Sequence, residues 1–234
     1  MDEAQAPVIG VIGSAGGVGV STLACALADA AGAGLLLDLD TCGGGLDVLL
    51  GVNAVAGVRW SGLRVAGGAL DPVDLARGLP RWRGVPLLAA DGVAPSLAAV
   101  RAVLDAGRRL GPVVLDAGRC LCPDARAVLA SCSVVVLVTD SDRRGLAAVR
   151  ATAGRLGARG PGPMPAAESG GRTTVTAPMG MVLRRGSIGR VEAEAVTGIP
   201  VLGTLAPLGR RDGIRLSRPL LRVAAGVLDG VLGE

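Results

Sequence analysis

Residues 8–22 read VIGVIGSAGGVGVST. An apolar run of strand length leads into a glycine-rich turn, two adjacent hydroxyls follow, and a helical pattern then covers 21–31. This order is typical of a P-loop, whose backbone N–H groups surround phosphates and whose hydroxyl holds Mg²⁺. The residues predicted to form the phosphate site are Gly16, Gly17, Val18, Gly19, Val20, Ser21 and Thr22. A P-loop has a lysine directly before the hydroxyl, whereas this chain has valine, so the predicted site lacks its usual cation.

The amino-acid composition narrows the chemistry that the chain can perform. It contains no lysine and no histidine, so all 24 basic side chains are arginine. Arginine was therefore available for position 20, and valine there means that the charge was lost and not exchanged. Without histidine the commonest general base and metal ligand is missing, and the five cysteines show no C-x-x-C spacing. We expect neither zinc chemistry nor Ser-His-Asp catalysis.

Length and the lack of targeting signals predict a single cytoplasmic domain. The chain of 234 residues is long enough for one buried core, and 1–234 is interpreted as one P-loop NTPase-like domain. Residues 2–5 are polar, unlike a signal peptide, and no apolar run approaches the ~20 residues of a membrane span. The net charge of +4 favours a solvated arginine-rich surface. The alternative is non-specific contact with DNA, or peripheral contact with the inner face of the plasma membrane.

Short apolar strands alternate with helical patterns along the chain. The strands are continuously hydrophobic, which is typical of parallel strands buried on both faces. The predicted strands are 8–12, 34–38, 85–89, 112–116, 133–139, 179–183 and 200–205. The predicted helices are 21–31, 95–110, 124–130, 143–156 and 189–196. The alternation predicts a doubly wound, mostly parallel α/β sheet, and the composition of 157–178 predicts a flexible loop.

Carboxylates follow two predicted strands at the sheet edge where the glycine loop also lies. One strand ends LLLDLD, with Asp38 and Asp40, and a later strand ends VVLD at Asp116. The later strand has the form of a Walker B element, which holds Mg²⁺ through water. The spacing from the loop to Asp38 also fits a dinucleotide-binding fold, although Thr22 stands where that fingerprint has Gly or Ala. A P-loop is favoured, and the dinucleotide fold is the alternative.

These motifs resemble the MinD/ParA group of P-loop NTPases, whose deviant Walker A loop reads K-G-G-x-G-K-[ST]. Within that group the chain resembles the CpaE/TadZ-like branch, in particular actinobacterial CpaE-like septum site-determining proteins (Ssd). The segments that carry the likeness are 16–24, 37–40, 43–51, 57–60 and 70–72. Such proteins often carry an N-terminal receiver-like domain. We expect none here, because the glycine loop begins almost at once.

The resemblance implies a role for each polar residue of the motifs. Asp40 matches the residue that orients hydrolytic water, with Asp38 as its neighbour in the catalytic pair. Ser21 and Asp116 match Mg²⁺ ligands, and ATP is the implied nucleotide. Ala15 stands where the group has a signature lysine that reaches across a dimer, so both lysines of the loop are missing. Since an arginine finger, which carries a comparable charge, contributes about 10³–10⁵ in rate, weak or absent hydrolysis is predicted.

The resemblance also implies partners and a biological role. We expect a homodimer on nucleotide binding that acts as a spatial regulator of cell division at the septum site, or of Tad-type pilus or secretion assembly. Division or Tad proteins are the implied partners. The alternatives are an active ATPase that drives a localisation cycle and a nucleotide-free scaffold. Arg184 occupies the region of the sequence where MinD-like proteins have an asparagine that contacts adenine. Arg143 or Arg144 is a candidate substitute for a missing loop lysine.

The C-terminal segment has an apolar stripe at helical spacing. MinD proteins end in a membrane-targeting amphipathic helix, so the stripe fits either a membrane-surface helix or a helix that packs on the core. A membrane-surface helix has a basic polar face, whereas Asp229 and Glu234 accompany Arg218 and Arg222 here. A helix that packs on the core is therefore favoured. The stripe consists of Leu220, Leu221, Ala224, Val227, Leu228, Val231 and Leu232.

Overall fold

The structure, a computed structural model, describes residues 5–65, 68–157, 174–184, 186–206 and 216–232. The loop predicted over 157–178 lies mostly outside these residues. The strands are β1 Val8–Gly13, β2 Leu35–Asp38, β3 Arg81–Trp82, β4 Val85–Leu88, β5 Val113–Asp116, β6 Val134–Asp140, β7 Met179–Arg184 and β8 Val201–Leu205. The helices are α1 Val20–Ala30, α2 Leu46–Leu49, α3 Pro72–Gly78, α4 Leu97–Gly107, α5 Pro123–Leu129, α6 Arg143–Leu156, α7 Arg190–Thr197 and α8 Arg218–Leu232.

The strands form one sheet in the order β3-β4-β2-β5-β1-β6-β7-β8. All neighbouring pairs are parallel except β3 with β4 at one edge. A dinucleotide-binding sheet has its first two strands adjacent, whereas here β5 lies between β1 and β2. This order rules out the dinucleotide alternative and confirms the doubly wound, mostly parallel α/β prediction.

The sheet is buried on both faces, as the continuous apolar strands predicted. Successive residues of β1 point to opposite faces. Val8 and Ile12 belong to a core with residues of α4, α5, α6 and α7. Ile9 and Val11 belong to a second core, which α1 and α8 cover. The strands therefore contribute side chains to two hydrophobic layers, and the helices lie on both sides of the sheet.

The C-terminal helix α8 packs on the core, as predicted. Leu220, Ala224, Val227 and Leu228 are buried and share the second core with α1. These four members of the apolar stripe are therefore covered by the protein, and Leu221 is half-buried. Among the helices of the described segments, none is both long enough and apolar enough to cross a bilayer.

Several elements differ from the sequence prediction. Helix α4 begins two residues later than the predicted 95–110 because Ser96 caps its start, accepting a hydrogen bond from the Ala99 N–H at 3.2 Å, and it ends at Gly107. Helices α2 and α3 and strand β3 were not predicted. Four and two residues are too few for a periodic pattern in α2 and β3. For α3 the start signal was present, since Asp71 accepts from the N–H groups of Val73 and Asp74 and a proline follows it.

Candidate functional site

The glycine loop connects β1 to α1 at the carboxyl edge of the sheet. Gly17 has φ 75° and Gly19 has φ 96°, backbone angles that residues other than glycine rarely adopt. Among the described residues, no side chain caps the start of α1 at Val20. Its first N–H groups therefore remain available to an anion, which the positive end of the helix dipole also favours. The backbone has the form that the P-loop pattern predicted.

Contacts from β6 and β7 hold the loop in this conformation. Ser14 donates its N–H to the Val138 carbonyl at 3.0 Å, and its hydroxyl donates to Thr139 Oγ1 at 2.8 Å. Arg184 donates from Nη1 to the Gly17 carbonyl at 2.7 Å and lies 3.5 Å from Asp140 Oδ1. Arg184, expected near a bound base, therefore bonds to the loop itself.

Asp116 is a fully buried carboxylate with one unpaired oxygen. Its Oδ1 accepts from the Gly118 N–H at 2.9 Å, whereas Oδ2 has no hydrogen-bond partner among the described residues. Burial raises the pKa of Asp116 to about 6, and the nearby charge of Asp38 adds to the increase. The Ser21 side chain faces Asp116 and lowers this pKa, with a larger effect than that of Asp38, although it does not reach hydrogen-bond geometry to Oδ2. A cation or its bound water would satisfy the free oxygen.

Asp38 lies opposite Asp116 across the β2–β5 pair. Its Oδ2 accepts from the N–H groups of Leu46 at 2.8 Å and Ala90 at 3.2 Å, and its Oδ1 accepts from the Asp40 N–H at 3.0 Å. Burial raises the pKa of Asp38, and these three hydrogen bonds partly offset the increase. Both oxygens are therefore used to hold the backbone between Asp40 and Leu46.

Asp40 is half-buried and reaches into the space between the loops. Its Oδ1 accepts from the Cys42 N–H at 3.2 Å, which leaves Oδ2 without a backbone donor from that turn. Gly118 lies against it with φ 55°, and a Cβ there would stand 2.6 Å from Asp40 Cγ. Only glycine at 118 allows this approach. Gly118 is a site residue that the sequence reasoning missed, although its position just after the Walker B strand was a signal.

These residues line two adjoining cavities. A cleft of about 310 Å³ is bordered by the glycine loop, Ser21, Asp40 and Gly118. A second cavity of about 200 Å³ is bordered by Ser21, Asp38, Asp40 and Asp116. The two share Ser21, Asp40 and Leu49, so the cavity of the carboxylates adjoins the cleft at the glycine loop. A hydroxyl, a buried carboxylate with a free oxygen and a second carboxylate form an all-oxygen donor set, which suits Mg²⁺.

The two positions that lack lysine carry no charge in the structure either. Val20 is 8% exposed and packs in the second core, with its Cγ2 close to Gly13. Ala15 is exposed at the mouth of the cleft. Arg143 and Arg144, the candidate substitutes, are exposed on α6 and do not border the cleft. The arginine that does border it is Arg119, which the sequence reasoning did not single out.

Sequence comparison finds uncharacterized relatives in one species. Two uncharacterized proteins of Mycobacterium tuberculosis, from strains CDC 1551 / Oshkosh and ATCC 25618 / H37Rv, are each 36% identical to the chain over 238 residues. The alignment covers 96% of this chain and 63% of each relative. The chain therefore spans less than two thirds of the length of the curated relatives it matches. No protein-family model matches it.

Structure comparison finds MinD and ParA proteins. A septum site-determining MinD from Pyrococcus horikoshii, complexed with Mg-ADP, matches with a TM-score of 0.62, 18% identity and coverage of 95% of this chain and 96% of that one. A putative plasmid partition protein from Borrelia burgdorferi, bound to AMPPNP, matches with a TM-score of 0.67 and 13% identity, and the match covers 98% of this chain and 99% of that one. The MinC:MinD complex of Aquifex aeolicus matches with a TM-score of 0.65 and 15% identity, and the match covers 98% of this chain and 96% of that one. The chain has the fold of the MinD and ParA ATPases.

Proposed function

We propose that the chain belongs to the MinD/ParA superfamily and binds ATP with Mg²⁺, while hydrolysing it slowly or not at all. One observation carries this proposal: the N-terminus of α1 borders the cleft, Asp116 with its free buried oxygen borders the adjoining cavity, and Ser21 and Asp40 border both, yet positions 15 and 20 supply no cation. The parts that bind phosphate and metal are thus present, and both lysines that would assist phosphoryl transfer are absent. The Mg-ADP and AMPPNP bound by proteins of the same fold support nucleotide binding.

Each side chain of the site has a distinct proposed role. Ser21 and Asp116 hold Mg²⁺, which supplies charge to the phosphates when it is bound. Asp40 is the catalytic residue, since it borders the cleft and can orient a water. Asp38 is a positioning residue, because its oxygens already hold the backbone on either side of Asp40. Thr22 borders the cleft beside Ser21 and contacts the nucleotide.

We infer a spatial role from the likeness to the CpaE/TadZ-like branch. ATP binding would promote a homodimer, which positions the septum site or a Tad-type pilus or secretion assembly from the cytoplasmic side. Solved structures of the same fold include a septum site-determining protein and a plasmid partition protein, which supports a positioning function. An active ATPase cycle and a nucleotide-free scaffold are the competing functions.

Titration calorimetry and a steady-state ATPase assay separate these functions. We expect Mg-ATP and Mg-ADP to bind, EDTA to weaken binding, and ATP to shift the chain from monomer to dimer in light scattering. Turnover should stay far below about one per second, the low end of ordinary enzymes. Turnover near that rate that is lost in Asp40→Ala would favour the active ATPase. Absence of any nucleotide binding would favour the scaffold.

Restoring the P-loop cation should raise hydrolysis. We expect Val20→Lys to increase ATP turnover by about tenfold or more, since a lysine from this position can reach the phosphates and a single cation is worth at least that much in phosphoryl transfer. Val20→Met is the matched control, because it changes the volume at the same buried site without adding charge. If Val20→Lys folds, binds Mg-ATP and hydrolyses it no faster than Val20→Met, the missing lysine does not limit the rate.

A further inference from the structure

Arg119 lies across the glycine loop from the other side of the cleft. It lies three residues after Asp116, the last residue of β5. A Cβ built on Gly16 would stand 3.5 Å from Arg119 Nη1 and 3.8 Å from its Cζ. The guanidinium is thus in contact distance of the first glycine of the predicted phosphate cradle. Arg119 also borders the same cleft as Ser21 and Asp40.

A second arginine at the glycine loop, Arg184, is already engaged. Arg184 is bonded to the Gly17 carbonyl and lies beside Asp140. By contrast, Arg119 is exposed and makes neither an ion pair nor a side-chain hydrogen bond within the described segments. Of the described residues that border the cleft, it is the basic one. Its five N–H donors are therefore free for a ligand.

The site is rich in carboxylates, so a bound polyphosphate needs a nearby positive charge such as that of Arg119. Asp38, Asp40 and Asp116 surround the smaller cavity, and all three are acidic. A nucleotide with its phosphates would add further negative charge, which Mg²⁺ balances only in part. Arginine is the side chain best suited to phosphate, because its planar fork makes two parallel hydrogen bonds and stays charged. A loop arginine over Gly16 can supply the charge that Val20 and Ala15 lack.

We propose that Arg119 is a phosphate-contacting residue that replaces the missing P-loop lysine in binding the polyphosphate of the nucleotide. This inference rests on the proposed function, and it concerns a residue outside the P-loop. The cation then lies on the β5–α5 connection. The positive charge reaches the phosphates from a different loop and not from the glycine loop itself. A guanidinium in that place strengthens binding of di- and triphosphates and leaves recognition of the nucleoside unchanged.

The test compares Arg119→Ala, Arg119→Lys and the control Arg150→Ala by titration calorimetry. Arg150 is exposed on α6 and does not border the cleft, so its replacement removes the same charge elsewhere. We expect Arg119→Ala to weaken Mg-ATP and Mg-ADP binding about 10- to 100-fold, as for a lost hydrogen bond to a charged group. Arg119→Lys should lose less, and Arg150→Ala should bind like the wild type. Thermal melting should be unchanged in all three, because Arg119 has no partner within the described residues.

Two ligand probes separate this inference from the proposed function. Inorganic tripolyphosphate should compete with Mg-ATP in the wild type and compete weakly in Arg119→Ala, whereas any binding of adenosine should be equal in both. If the wild type binds Mg-ATP and Arg119→Ala binds it equally well, Arg119 is not the replacement cation and the proposed function stands. If the wild type binds tripolyphosphate through Arg119 but not ATP, the proposed function fails and the anion site stands. Binding of neither ligand overturns both.

Discussion

Replacing Asp116 with asparagine should weaken Mg²⁺-dependent ATP binding about 10- to 100-fold, the usual cost of losing a carboxylate that holds a metal through water. In the metal-free protein at neutral pH, the same change should raise the free energy of unfolding. The wild-type carboxylate is fully buried, and its Oδ2 has no hydrogen-bond partner among the described residues. A neutral amide avoids the desolvation of that charge and still offers an acceptor to the Gly118 N–H.

The sign and pH range of the stability effect follow from the pKa of Asp116. Burial raises this pKa from 3.8 to about 6, so the folded protein binds more protons than the unfolded chain between these values. Stability contributed by Asp116 therefore falls as pH rises through this range. Since one pKa unit corresponds to about 1.4 kcal/mol, the penalty above pH 6 is on the order of 2–3 kcal/mol. It vanishes below the unfolded pKa.

Urea unfolding in EDTA at pH 5 and pH 8 measures this effect. Asp116→Asn should exceed the wild type in free energy of unfolding by a larger margin at pH 8 than at pH 5. Asp105→Asn is the matched control, because Asp105 is exposed on α4 and its replacement removes the same charge. An Asp116→Asn protein that is less stable than the wild type at pH 8 without metal would contradict the assigned burial cost. Unchanged Mg²⁺ dependence would contradict its role at the metal.

The sequence was sufficient to predict the sheet and the edge on which the site lies. Parallel strands are buried on both faces, so β1, β5 and β6 appear as unbroken apolar runs, and the side chains after such runs meet at one edge. Asp116 could therefore be placed near the glycine loop without a structure. The dinucleotide-binding alternative was excluded by strand order, which depends on how distant segments pair and leaves no local pattern in the sequence.

Two features of the site required three-dimensional contacts. The sequence LLLDLD does not reveal which of its two carboxylates accepts hydrogen bonds from the backbone. In the structure Asp38 accepts from the N–H groups of Leu46 and Ala90. Arg119 and Gly16 are about a hundred residues apart, and nothing near either residue marks their approach. Long-range side-chain contacts of this kind follow from the fold, and hydrophobic periodicity contains no information about them.

Replacing Asp38 with alanine should lower the free energy of unfolding by on the order of 3–5 kcal/mol, since each buried donor left without an acceptor costs about 1–3 kcal/mol. Asp38 is 1% exposed and accepts from three backbone N–H groups, two of which belong to Leu46 and Ala90 in the buried interior. Burial raises the pKa of Asp38, so removing the carboxylate recovers part of the loss. The net effect stays large because several donors depend on one side chain.

Asp38→Ala should also free the backbone at Asp40, whose N–H donates to Asp38. Measuring this change distinguishes a positioning role of Asp38 from direct participation in catalysis. Trp60 donates from Nε1 to the Asp38 carbonyl at 2.7 Å, so its fluorescence in a Trp82→Phe background reports on this region. Asp38→Asn is the matched control, because it keeps the shape and one acceptor oxygen and should lose less stability than alanine. Amide hydrogen exchange should accelerate at Leu46 and Ala90 in Asp38→Ala and not in Asp40→Ala. If both variants leave these amides protected, the three hydrogen bonds do not hold the site together and the positioning role of Asp38 is contradicted.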